Sequence, residues 1–66
     1  MTVAKIIEIS AESEKSFEDA MRKGVAKASE SVKDIRGVWV KDQQVVVRDG
    51  LIVSYRVDLK LTFVLE

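Results

Sequence analysis

Asp49-Gly50 separates two runs rich in β-branched, leucine and aromatic residues, 37–48 and 51–66. A two-residue hairpin turn of type I′ needs positive φ at both central positions, and Asp-Gly is among the pairs that tolerate it best. The second and third strands are therefore predicted to be antiparallel neighbours. In the third, Val53, Tyr55, Val57, Leu59, Leu61, Phe63 and Leu65 alternate with Ser54, Arg56, Asp58, Lys60, Thr62 and Glu66. Such alternation describes a sheet with one packed and one polar face. In the second strand the apolar phase changes from Val38 and Val40 to Val45 and Val47. A bend or bulge near Gln43 and Gln44 would absorb that change.

Upstream of the hairpin the periodicity becomes helical. Phe17, Ala20, Met21, Gly24, Val25, Ala28, Val32 and Ile35 recur at steps of three and four, drawing one apolar stripe and predicting a helix over about 14–35. Ser13 or Ser16 is suited to cap it, and Ser16 with Asp19 resembles a capping box. Gly37 stands where a left-handed terminating residue is expected. Gly24 lies on the buried stripe and predicts close approach to a strand. The β-branched stretch 2–10 reads as a first strand.

The order β-α-β-β fixes the topology of an all-antiparallel sheet. Strands one and two run the same way, so strand three must lie between them, giving the order 1-3-2. The fold class is α+β: a single domain spanning 1–66, with one helix on one face of the sheet. The other face and two strand edges need cover. Sixty-six residues bury a marginal core, and with no Cys and no His neither disulfides nor the common zinc sites can reinforce it. Oligomerisation is the expected remedy.

Composition also narrows the chemistry. Eleven basic and eleven acidic residues cancel, which predicts neither a nucleic-acid nor a membrane partner. No apolar run approaches a membrane span and no secretory signal is evident, so the cytoplasm is the expected location. Without a Cys or His nucleophile or base, a phosphate loop or a triad, the chain reads as a non-enzyme. The unusual residue is Trp39, the only tryptophan, whose alternation with Val38 and Val40 puts it on the polar face. There the indole suits a flat heteroaromatic ligand or a subunit interface. Arg56 is expected on the same face, as a ligand contact or in an ion pair with Asp58, Asp42 or another acid. Glu8, Asp42, Asp49, Asp58 and Glu66 could give oxygen ligands to a hard cation, although no spacing forms a dedicated loop.

The stretch "KIIEISAESEKSFEDAMRKGVAKASESVKDIRGVWV" and the ending "YRVDLKLTFVLE" resemble the dodecins over nearly the whole chain. That resemblance implies a hollow homododecamer with helices outside and sheets lining a compartment that holds flavin (FMN, riboflavin or FAD) for storage. The site it implies comprises Gly37, Val38, Trp39 and Arg56. Arg56 replaces the Gln that bonds flavin in the family. Counting back nineteen positions, Gly37 occupies the place of the stacking tryptophan, with Trp39 two residues further on. The alternative is a structural shell without flavin, its sites empty or holding another small ligand or metal ion, with Trp39 buried between subunits.

Overall fold

The computed structural model describes residues 3–65. Its elements are β1 (Ala4–Ser13), α1 (Phe17–Ala28), β2 (Ile35–Arg48) and β3 (Leu51–Val64), in one antiparallel sheet ordered β1-β3-β2. The predicted fold class and strand order are therefore observed. The hairpin forms at the expected turn: Asp49 and Gly50 have φ of 53° and 77°, and Arg48 pairs with Leu51.

Val57, Leu59 and Leu61 of β3 are buried beneath Ala20 of α1, with Ile7, Ile9, Phe17, Met21 and Val25 packed around them. A Cβ on Gly24 would lie 3.0 Å from the Ala11 Cβ and 3.3 Å from the Ile9 Cδ1. The glycine thus lets the helix settle onto β1, as its position on the stripe predicts.

The helix is shorter than 14–35. Ser16 caps its start, accepting a 2.9 Å hydrogen bond from the Asp19 backbone N–H. The Asp19 carboxylate accepts instead from the Ser13 hydroxyl at 2.5 Å and pairs with Lys23 at 3.1 Å, so the capping box is only half formed. Beyond Ala28, the Ser29 hydroxyl donates to the Val25 carbonyl at 2.8 Å, an example of serine competing for helix backbone groups. Asp34 then adopts φ 60° and redirects the chain into β2. Val32 and Ile35 continue the helical spacing but belong to the turn and to β2. Asp34, not Gly37, takes the left-handed conformation, a role open to Asp because its side chain tolerates that region.

The β2–β3 ladder contains three register shifts, between Ile35 and Gly37, Val40 and Asp42, and Val46 and Val47. The shift expected near Gln43 and Gln44 falls at Lys41, which has no partner between the pairs Val40–Leu59 and Asp42–Asp58. It turns Gln43 and Val45 to the same side as Val57 and Tyr55.

The helix packs on β1 and β3 rather than β2. At about 1.5 Å per residue it spans roughly 18 Å, whereas a 14-residue strand spans roughly 47 Å. The hairpin therefore projects beyond the helix, and the described chain measures 52 × 19 × 13 Å. Val45, Val47, Leu51 and Ile52 on that arm are exposed. An apolar groove between α1 and β2, lined by Phe17, Met21, Val25, Val38 and Val40, is also left open.

Candidate functional site

Alternation on β3 turns Arg56, Asp58, Lys60 and Thr62 away from the helix, and their partners on both sides complete the helix-free face. From the open end toward the hairpin, cross-strand rows read Ile6–Thr62–Gly37, Glu8–Lys60–Trp39, Ser10–Asp58–Asp42 and Glu12–Arg56–Gln44. Most of this surface is polar. Trp39, with 69% of its area exposed, and Ile6 are its exposed large apolar residues in these rows.

Trp39 and Arg56 share this face, as predicted, but are not adjacent within the chain. The partner of Trp39 is Lys60, four residues along β3 from Arg56, a separation of roughly 13 Å. Arg56 is also engaged: its Nε and Nη2 both donate to the Glu12 carboxylate on β1. Of the alternatives weighed for Arg56, the ion pair is the one observed, and its acid is Glu12 rather than Asp42 or Asp58.

Gly37 pairs with Thr62, whose hydroxyl donates to the Gly37 carbonyl at 3.4 Å. A Cβ on Gly37 would lie 2.9 Å from the Thr62 Oγ1. An aromatic side chain there would need Thr62 to move, so the space beside Gly37 already has an occupant. Val38 pairs with Leu61 and turns toward the helix, where it lines the apolar groove. Only its backbone runs beside Trp39.

The electrostatics of the Trp39 row are set by Lys41. From its bulge it reaches across β3 to the Glu8 carboxylate at 2.9 Å. The hydrogen bond to Lys41 holds the Glu8 carboxyl below its ordinary range, and the reciprocal bond raises the Lys41 ammonium. No described carboxylate lies within ion-pair distance of Lys60. Sequence reading left Lys60 among the polar-face residues without a role. Counting outward from the two-residue turn could have found it, because the register offsets near Val46 and Lys41 cancel at the pair Trp39–Lys60.

Of the proposed oxygen ligands, Asp42 and Asp58 face each other across β2 and β3, with the Ser10 hydroxyl donating to Asp58 at 3.0 Å. Glu8 is held by Lys41, Asp49 is in the turn, and Glu66 lies outside the described residues. Among the described residues no three acidic side chains converge on a common metal position.

Together, the β-α-β-β sheet, the single helix and the polar second face carrying one tryptophan define a small α+β domain of one helix on a three-stranded antiparallel sheet. Comparison with known proteins makes this specific: residues 3–66 match the dodecin family, and the chain belongs to it. The calcium dodecin of Mycobacterium tuberculosis is 36% identical over 63 residues, covering 96% of this chain and 89% of that protein. Its structure, described as a calcium-chelating antigen with a calcium-binding site, superposes with a TM-score of 0.84 at 34% identity, over 97% of this chain and 91% of that one. The dodecin from Streptomyces coelicolor superposes with a TM-score of 0.93 at 26% identity, over 98% and 93% of the two chains. A variant of Thermus thermophilus dodecin gives 0.93 and 26%, over 100% and 98%.

Proposed function

We propose that this protein is a non-catalytic binding and storage protein that assembles as a hollow homododecamer. On its helix-free face it holds a flat heteroaromatic ligand, flavin foremost, against Trp39. One observation carries the reading: a dodecin sheet presents a single indole, largely exposed, on its polar face. Such a ring stacks on planar ligands, and no described cation occupies its surface. The exposed hairpin arm and the open groove beside α1 support assembly, because surfaces of this kind mark sites of association. Gly37 and Arg56 shape the surroundings of the ligand, one through Thr62 and the other through Glu12, rather than repeating the family's stacking and bonding contacts.

Titration of riboflavin with purified apo-protein tests this directly. Saturable quenching of flavin fluorescence at micromolar concentrations is expected, with Trp39→Ala weakening affinity about tenfold, the scale of one aromatic stack. Unchanged emission in the wild type would refute flavin binding. Light scattering should give a mass about twelve times the 7.4 kDa chain. If Trp39→Ala dissociates that assembly, the indole is an interface residue.

A second reading is favoured by the kinship with a calcium dodecin. The facing carboxylates of Asp42 and Asp58 would supply part of a cation site, completed by another subunit. Calcium should then raise the melting temperature, and Asp42→Asn should remove the effect.

A further inference from the structure

We propose that Lys60 forms one recognition unit with Trp39 and that this unit selects flat aromatic ligands carrying a negative charge on the ring edge. The inference rests on the reading above that Trp39 takes a ligand. It adds the ligand's charge and the residue that senses it.

Three observations carry it. First, Trp39 and Lys60 are directly paired across β2 and β3. Cross-strand partners have Cβ atoms about 5 Å apart on the same face, so the edge of a ring stacked on the indole lies within reach of the flexible Lys60 side chain. Secondly, Lys60 has no described ion-pair partner. Glu8, its neighbour on β1, is held at 2.9 Å by Lys41. Asp58, two residues away on β3, accepts from Ser10 and makes no ion pair with Lys60. Thirdly, the other cation of this face that sequence reading assigned to a ligand, Arg56, is neutralised by Glu12 and stands one row beyond Asp58.

Pairing of Glu8 with Lys41 leaves Lys60 as the cation of the Trp39 row with no described ion-pair partner, its ammonium free to take an acceptor on a ligand. A neutral flat ring gains only the stack from this row. An edge carboxylate would also accept a charge-assisted hydrogen bond, among the stronger single contacts available to a partly exposed group.

Pterin and pterin-6-carboxylate provide a matched test, since both are flat and fluorescent and the second bears a ring-edge carboxylate. Their affinities for the assembled protein would be measured at neutral pH by fluorescence titration, with riboflavin as a reference. The carboxylate is expected to bind about tenfold or more tightly than pterin, with the advantage shrinking as salt is raised. Lys60→Gln should bring the ratio close to one by weakening binding of the carboxylate, and Lys60→Arg should preserve most of the ratio. Light scattering on both variants would establish that the assembly is intact. A wild-type ratio near one with riboflavin bound, or a ratio unaffected by Lys60→Gln, would overturn this inference alone. If the wild type binds neither riboflavin nor either pterin, the ligand reading beneath it falls as well.

Discussion

The two faces of β3 show what alternation can and cannot specify. Val57, Leu59 and Leu61 point toward α1 and are almost completely buried, while Arg56, Asp58, Lys60 and Thr62, one residue out of phase, form the centre of a polar face. Fold stability resides on the first face, where close packing and removal of apolar area from water act together. The second face is ordered by charge: Lys41 spans to Glu8, and Arg56 to Glu12. Exposed pairs of this kind contribute little to stability, so that face is free to be selected for recognition.

The largest expected effect is on the dry face. Leu59→Ala removes a fully buried side chain and should cost about 2–5 kcal/mol in urea unfolding. A loss under 1 kcal/mol would show that neighbouring subunits, rather than the helix, supply most of the core. Gly24→Ala comes next. It gains helix propensity of about 1 kcal/mol, but the new methyl would lie 3.0 Å from the Ala11 Cβ on a paired strand, and overpacking of this kind costs roughly 1–3 kcal/mol. Net destabilisation is expected, relieved by Ala11→Gly in the same chain. A stabilised Gly24→Ala would mean that α1 is not seated tightly on β1.

The smallest effects belong to the polar face and the helix start, and they depend on pH. Glu8 is held below its ordinary value of 4.5 by the Lys41 hydrogen bond, and Asp19 below its 3.8 by Ser13 and then Lys23. Both carboxyls bind protons more weakly when folded than when unfolded. Their contributions are thus complete above those ordinary values and are lost as pH falls through the lower folded ones. Acid titration of the melting temperature should show a shallow decline below about pH 4.5, reduced in Glu8→Gln. The raised Lys41 has the opposite sign: its contribution persists below 10.5 and disappears as pH rises beyond that value. A steep loss already at pH 6 would point to other titrating groups, between subunits, as the main pH-sensitive contacts.

How much of this was legible in the sequence varies from element to element. Asp49-Gly50 and the alternation of 53–65 specified the hairpin and its two faces, because turn geometry and the period of two are local properties. The β-α-β-β order then left 1-3-2 as the arrangement consistent with antiparallel pairing, and Gly24 on the apolar stripe anticipated close approach to β1. Dodecin kinship was legible from the same stretches. The end of the helix was not: Val32 and Ile35 keep the spacing of three and four although the helix ends at Ala28, where the Ser29 hydroxyl bonds the Val25 carbonyl, and Asp34 redirects the chain before Ile35.

Trp39 marks the boundary between what each level determines. By itself the sequence determined that its indole would lie on the polar side of β2, since alternation depends only on neighbouring residues. Only the tertiary structure decided its company. Arg56, selected from family correspondence, is bound to Glu12 on a strand more than forty residues earlier, whereas Lys60, opposite Trp39, has no ion-pair partner among the described residues. Ion-pair choice depends on which side chains three strands bring together and on where a bulge at Lys41 aims one ammonium. Those distances are set by the assembled sheet.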